Sequence, residues 1–310
     1  MAARLIFYGQ GKQAQLTFGG DVSFSGLIDQ SLPHSLPDTA AITSARKARK
    51  QHPLLQRGMR TAEVWGDCVG DLQGAVTAVS LVSPLTMHAQ RSRTADGGLK
   101  REAQRAHPLQ VEALLDANID VVSLANGHSM DFHEEGLLDT WTALRTVGVA
   151  HSGSGINRES AYRPTVRKAF GRRIAYLAVS AAGCGLRDAA GVEMWAAGER
   201  RPGIAYVDLW DARMHEETLR ELRDAVRVAR ETQRVTFVVV SVCWGEGGAD
   251  GKLLPRGEVH AACCLLPAAA RRGARCLLPA ACCRAERCTL SPRHAFEPPS
   301  VPTFEALSSP

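Results

Sequence analysis

The sequence predicts an α/β fold, for two reasons. Short apolar, β-branched runs alternate along the first 250 residues with longer segments whose apolar residues recur at helical spacing, an order typical of α/β proteins. Polar motifs directly follow three of the strand-like runs: GGDVSFSG at 19–26, SLANGHSMDF at 123–132 and SVCWGEGG at 241–248. Because ligand-handling residues gather beyond the carboxyl ends of strands, these motifs predict one site assembled from three strand ends.

The individual elements follow from the same patterns. Strands are predicted at 15–18, 75–82, 119–125, 173–180 and 235–242, with Gly19-Gly20-Asp21 forming a turn after the first of them. Helices are predicted at 133–147, at 212–232 and from Pro108 onwards, since proline is common at a helix start. The basic stretch 41–62 predicts a surface helix or excursion, and the Arg-rich stretch 87–107 predicts a loop.

Composition limits the classes of function. Apolar residues make up 45% and charged residues 22%, both ordinary for a soluble globular protein. The formal charge is +5, but residues 251–310 hold eight basic and four acidic residues, so the first 250 residues carry only +1. We therefore expect no nucleic-acid partner. No apolar run reaches the length of a membrane span and no secretory signal is recognisable, so a cytoplasmic location is the default expectation.

The pattern changes near residue 250. The tripeptide LLP recurs at 253–255, 265–267 and 277–279, and six of the nine cysteines lie in this region without any C-x-x-C spacing. A Pro/Ser-rich stretch ends the chain. We expect a folded domain at 1–250 and a low-complexity, disordered tail at 251–310, without a zinc site.

Four polar residues of the first two motifs are candidates for chemistry. The Asp21 carboxylate is a hard oxygen ligand for a divalent metal, although a turn Asp can also cap a local N–H. His128, with Asn126 before it and Asp131 after it, offers an imidazole that can bind metal or transfer protons near neutral pH, oriented by a carboxylate. The alternative is a polar loop in which Asp131 caps the following helix.

The third motif and a further loop supply weaker candidates. Cys243, followed by Trp244 and Glu246, could bind Zn²⁺ as a thiolate, although a buried inert cysteine is the commoner case. His151 lies in the Gly/Ser loop AHSGSG, which could approach a phosphate or carboxylate closely.

In this order, the motifs resemble those of the bacterial capsule-synthesis CapA family, of the poly-γ-glutamate synthesis type. The matching segments are GGDVSFSG, WGD at 65–67, SLVSPLT at 80–86, SLANGHSMDFHEEGLLDTWTALRTVGVAHSGSG at 123–155 and SVCWGEGG. The resemblance implies a calcineurin-like metallophosphoesterase fold, an α/β/β/α sandwich whose edge loops hold two divalent ions (Mn, Mg, Zn or Fe). It also implies a polyanionic polymer or phosphoester substrate.

Residue roles carry over by position. Asp21 corresponds to the metal-binding Asp of the first motif and His128 to the His near the scissile group, while Asn126 and Asp131 match the frame around that His. We therefore expect His128 and Asp131 to be catalytic and Asp21, Asn126, His128 and Cys243 to be the metal ligands.

The chain departs from the family pattern at four places. The Asn-Leu-Glu, Asn-Asn-His and His-Trp-Gly motifs of the family appear here as Ser80-Leu81-Val82, Asn126-Gly127-His128 and Cys243-Trp244-Gly245, and a late His-Pro-His motif is absent. The departures predict a degraded metal site in a sandwich that is incomplete at its C-terminal end. Two alternatives stay open: a non-catalytic descendant that binds a ligand or partner, and a truncated or frame-shifted product.

Overall fold

A computed structural model describes residues 3–9, 12–93, 97–100, 103–169, 171–181, 193–208, 212–243 and 262–267. Two β-sheets and the helices around them make up this part of the chain. The α/β class predicted from the sequence is confirmed.

The first sheet has the strand order β1-β2-β3-β4-β5 among the described residues. The strands are β1 (Ala3–Gly9), β2 (Lys12–Val22), β3 (Val76–Leu81), β4 (Val121–Ser123) and β5 (Ala150–Ser152). Strands β2 to β5 are parallel, and β1 joins the edge antiparallel to β2. The carboxyl ends of four neighbouring strands therefore lie at one edge of this sheet.

The second sheet has the order β11-β10-β8-β7, in which only β8 and β10 are parallel. Its strands are β7 (Thr165–Ala169), β8 (Arg172–Ser180), β10 (Phe237–Cys243) and β11 (Ala262–Pro267). A short separate pair consists of β6 (Ser154–Gly155) and β9 (Gly203–Ile204).

Helices connect the strands of both sheets. They are α1 (Leu27–Ser31), α2 (Thr39–Arg49), α3 (Pro53–Arg57), α4 (Glu112–Asp116), α5 (His133–Thr146), α6 (Arg158–Ala161) and α7 (Ala212–Glu231). Two 3-10 helices span Thr61–Leu72 and Pro108–Val111. None of these helices is long and apolar enough to cross a membrane.

The two sheets face each other across a shared apolar cluster, because alternate residues of each strand point to opposite faces. The first sheet contributes Leu16, Phe18, Val76, Ala78, Val121 and Ala125, and the second contributes Ile174, Tyr176, Ala178 and Val239. The outer face of the first sheet packs against helical residues such as Leu114, Leu137 and Leu144. The outer face of the second sheet packs against Ala225 and Ala229 of α7.

Two expectations differ from the structure. The Gly19-Gly20-Asp21 turn was wrong, since β2 runs through these residues to Val22. Residues 251–310 were expected to be a low-complexity, disordered tail, whereas residues 262–267 form β11, which pairs with β10. The predicted boundary at 250 and the rest of the tail lie outside the described residues.

Candidate functional site

A β-bulge in β2 determines which way Asp21 faces. Phe18 pairs with Ala78 and Asp21 with Ser80, so Gly19 and Gly20 together lie opposite Val79. Uninterrupted pairing would place Asp21 opposite Leu81, whose side chain belongs to the helix-covered cluster. The extra residue instead puts Asp21 on the face of the sheet that looks toward the second sheet.

The loop after β4 is held by Asn126, a buried residue whose side-chain amide both donates and accepts a hydrogen bond within the protein. Its Nδ2 donates to the Leu81 carbonyl at 2.9 Å, and its Oδ1 accepts from the His128 backbone N–H at 3.0 Å. Asn126 thus ties the end of β4 to the end of β3 and fixes the start of the His128 turn. The oxygen keeps a second lone pair, so the role of Asn126 as a metal ligand stays a prediction.

His128 and Asp131 form the central pair of the site. His128 Nδ1 lies 2.8 Å from Asp131 Oδ2, and the His128 side chain keeps 25% of its surface exposed while that of Asp131 is fully buried. Asp131 also accepts the Gln104 backbone N–H at 2.7 Å. The alternative in which Asp131 caps α5 is wrong, because Phe132 is the N-cap residue and no side chain caps this helix.

Lys100 completes this pair and was missed by the sequence analysis, which assigned it only to an Arg-rich loop. Its Nζ lies 2.6 Å from Asp131 Oδ1 and 2.5 Å from the Gly127 carbonyl oxygen. The ammonium also sits 4.6 Å from the centroid of the Trp195 ring, a cation–π contact. The buried carboxylate of Asp131 is therefore bound by an ammonium, a backbone amide and an imidazole.

Cys243 lies at the carboxyl end of β10, on the face directed at the first sheet. Burial, together with the nearby charge of Asp21, raises the pKa of the Cys243 thiol to about 11. The backbone N–H of Gly127 and the Ser180 hydroxyl oppose that rise. These effects place the thiol beside both Asp21 and the His128 loop, and they keep it protonated at neutral pH.

The Asp21 carboxylate is coupled to the same neighbours. Protein atoms that remove water from it raise its pKa, while the Ser80 side chain and the charge of His128 lower it. Asp21, the His128 loop and Cys243 therefore meet at one edge of the two sheets, as the three motifs predicted.

Among the described residues, the donor groups around Asp21 and His128 are too few for a two-metal centre. Within the described ranges, no three His, Cys, Asp or Glu side chains stand together in a way that could hold a metal ion. Asn126 Oδ1 already accepts the His128 backbone N–H, the Cys243 side chain is buried, and the Val82 side chain offers no donor atom. A two-metal site would need about seven or eight donor groups by the coordination numbers of such ions.

The remaining candidates lie elsewhere. His151 is on β5, where its ring stacks on Trp141 with centroids 5.5 Å apart and planes 7° apart. Both rings line a separate cavity of about 330 Å³ together with Arg163 and Ile156. Trp244 and Glu246 lie outside the described residues.

Comparison with known proteins supports the family resemblance drawn from the motifs. The family described as bacterial capsule synthesis protein PGA_cap matches residues 15–258, which is most of the chain. The chain belongs to this family. Each of the strand ends that meet at the site lies within the matched residues.

Two relatives from Mycobacterium tuberculosis are similar over 240 residues at 30% identity. Both are described as a probable polyglutamine synthesis accessory protein, one from strain CDC 1551 and one from strain H37Rv. The match covers 73% of this chain but 59% of each relative, so the chain spans a little over half of their length.

Among solved structures, the NAD nucleotidase of Haemophilus influenzae is similar over 79% of this chain and 32% of that one. The sequence identity is 11% and the TM-score is 0.29. A likeness at this score supports no conclusion about the fold or the chemistry of this chain.

Proposed function

We propose that this protein is a CapA-like capsule-synthesis protein that acts on a polyanionic polymer or phosphoester at the edge where Asp21, His128 and Cys243 meet. The observation that carries the proposal is the His128–Asp131 pair. A partly exposed imidazole is held by a fully buried carboxylate at the carboxyl ends of parallel strands.

The hydrogen bonds assign the protonated nitrogen of His128. Nδ1 lies 2.8 Å from Asp131 Oδ2 and 3.3 Å from Lys100 Nζ, and a carboxylate paired with an ammonium accepts hydrogen bonds, so we place the hydrogen of the shorter contact on Nδ1. The lone pair on Nε2 is then free to accept a proton or bind a ligand. Asp131 holds the ring orientation and stabilises the positive charge that forms when Nε2 takes up a proton.

The fold is proposed to be the metallophosphoesterase-like α/β/β/α sandwich. Two facing sheets with helices on both outer faces support it. The sequence departures at Val82, Gly127 and Cys243 remove donors that this fold uses for metal, so we propose no metal-dependent step for the present chain.

The second candidate function is a non-catalytic, ligand-binding protein, favoured by the same loss of donors. Isothermal calorimetry with Mn²⁺ and Zn²⁺ tests the degraded metal site that both candidates share. The wild-type chain should bind neither ion tightly, and a Val82→Glu, Gly127→Asn, Cys243→His variant should gain affinity. Two tight sites in the wild-type chain would contradict the degraded-site proposal.

A cellular experiment tests the role in capsule synthesis. The full chain should restore surface polymer in a polymer-producing bacterium whose own CapA-like gene has been deleted. His128→Gln should abolish that restoration, while His52→Gln, a change at an exposed histidine far along the chain from the site, should not. Equal restoration by His128→Gln would refute the site, and failure of the wild-type chain would refute the role in capsule synthesis.

A further inference from the structure

Helix α2 presents a strongly basic surface that the proposed site does not use. Residues 39–62 contain six Lys or Arg and no Asp or Glu, although the first 250 residues together carry only +1. Arg46 and Lys47 of α2 and its C-cap residue Lys50 are exposed and lie within one helical face at i, i+1 and i+4, while Ala45 on the opposite side is buried. We call Arg46, Lys47 and Lys50 the α2 basic face.

The charges of this face are not neutralised within the protein. Arg57 and Arg60 are both bound by Glu63, at 2.6 and 3.3 Å, and Arg49 donates to the Gln30 carbonyl at 2.6 Å. Across the described part of the chain, no acidic side chain forms an ion pair with Arg46, Lys47 or Lys50. Three adjacent positive charges are therefore available to a partner.

Three hydrogen bonds and the chain segment 23–30 link α2 to the site. The Arg49 guanidinium binds the end of α1, and α1 directly follows the segment that carries Asp21. In that segment, the Ser23 hydroxyl donates to Gln104 Oε1 at 2.7 Å. The backbone N–H of Gln104 is in turn one of the donors to Asp131. Helix α2 is thus connected through α1 and Gln104 to the residues that bind Asp131.

We propose that the α2 basic face docks an extended, carboxylate-bearing polymer and holds it beside the candidate site. This inference rests on the proposed role in polymer synthesis and names the surface that the polymer contacts. A helix of 11 residues is about 16 Å long, which suits a single extended strand with several carboxylates in reach. Arginine and lysine bind such groups by charge-assisted hydrogen bonds.

The chemistry of the face argues against two other partners. An interfacial membrane helix inserts apolar side chains, but the exposed residues of α2 beside the basic ones are Thr43 and Ser44. Single-stranded nucleic acids are bound by aromatic stacking as well as charge, and residues 39–52 contain no Phe, Tyr or Trp.

The test is binding of fluorescently labelled poly-γ-glutamate to the full chain, followed by fluorescence anisotropy across a salt series. The variant Arg46→Gln, Lys47→Gln, Lys50→Gln should weaken binding about tenfold or more. The slope of log affinity against log salt concentration should become shallower by about two, because the variant releases fewer counterions on binding. A control with the same charge change on the exposed face of α7, Arg220→Gln, Arg223→Gln, Arg227→Gln, should change affinity less than about twofold.

Three outcomes would overturn the inference. Both triple variants could weaken polymer binding equally, or the wild-type chain could fail to bind the polymer at low salt. The third outcome is tighter binding to phosphatidylserine vesicles than to the polymer, with the vesicle binding dependent on the α2 basic face. If polymer binding depends on the α2 basic face but the chain does not restore capsule in cells, the proposed function fails while the docking surface stands. If the α2 triple variant binds the polymer normally and the wild-type chain restores capsule, only the docking surface fails.

Discussion

Acidification is predicted to destabilise the protein through His151. The ring is stacked on Trp141 and largely withdrawn from water, and this burial lowers the pKa of His151 from 6.5 to about 4. In the unfolded chain the imidazole is hydrated and takes up a proton near its ordinary pKa. Between these two values the unfolded state binds more protons than the folded state, so the free energy of unfolding falls as the pH falls.

The size of the effect follows from the two pKa values. The contribution is fully present above about pH 6.5 and is lost progressively down to about pH 4, with a total of about 3 kcal/mol. At about pH 5, where most native carboxylates are still ionised, the expected loss is about 2 kcal/mol relative to neutral pH. That is a large share of the stability of an ordinary domain.

Urea unfolding at several pH values between neutral and about pH 5 measures this loss, with protein fluorescence as the readout. The variant His151→Phe keeps an aromatic ring beside Trp141 but cannot titrate, so its free energy of unfolding should depend on pH about 2 kcal/mol less than that of the wild type over this range. His52→Gln, at an exposed position, serves as the control and should leave the wild-type curve unchanged.

If the free energy of unfolding of the wild type and of His151→Phe changed with pH in parallel, the reasoning would be refuted. His151→Gln guards against a variant that fails to fold, because it is smaller and also cannot titrate in this range. Glu63, whose pKa is lowered to about 2 by Arg57 and Arg60, acts only at lower pH and does not confuse the comparison.

Three further predictions follow from the site and its surroundings. Lys100→Met should lower the free energy of unfolding, measured with urea, by about 3 kcal/mol, because it leaves the buried Asp131 without its ammonium partner. Adding Asp131→Asn should recover part of this loss, and no recovery would contradict the pairing. Gly153→Ala should cost at least about 3 kcal/mol by the same assay, because φ is +85° and the new Cβ would lie 2.5 Å from that of Ala125. As the pH rises from about 9 toward 11, the free energy of unfolding of the wild type should fall, because the Cys243 thiol ionises at lower pH in the unfolded chain than in the folded one. Cys243→Ala should make the free energy of unfolding depend less on pH over this range.

The sequence predicted those parts of the fold that depend on local patterns. The helix predicted at 133–147 is α5, and the apolar runs at 173–180 and 235–242 are β8 and β10, because burial on both faces demands unbroken apolar residues. The meeting of Asp21, His128 and Cys243 was also predictable, since carboxyl ends of parallel strands share an edge.

The parts that failed depend on distant contacts. Lys100 contacts Asp131, 31 positions away, and nothing in its Arg-rich surroundings distinguishes it from a solvated lysine. The bulge in β2 is a property of its pairing with β3, more than fifty residues later, so GGD alone read as a turn. Both features involve residues whose environment is created only when the sheets assemble.

Gly19 and Gly20 of β2 determine which face of the sheet carries the Asp21 side chain, and deletion and substitution of these glycines have different effects. Together they take the place of a single residue, so removing one would restore regular pairing and still leave Asp21 opposite Ser80. Replacing both with valine, which favours continuous pairing, would exchange the orientations of Asp21 and Val22 and direct an isopropyl group at the thiol of Cys243. The pairing register of β2 therefore decides whether the Asp21 carboxylate faces the site. Substitutions at neighbouring residues can remove the carboxylate from the site without changing Asp21 itself.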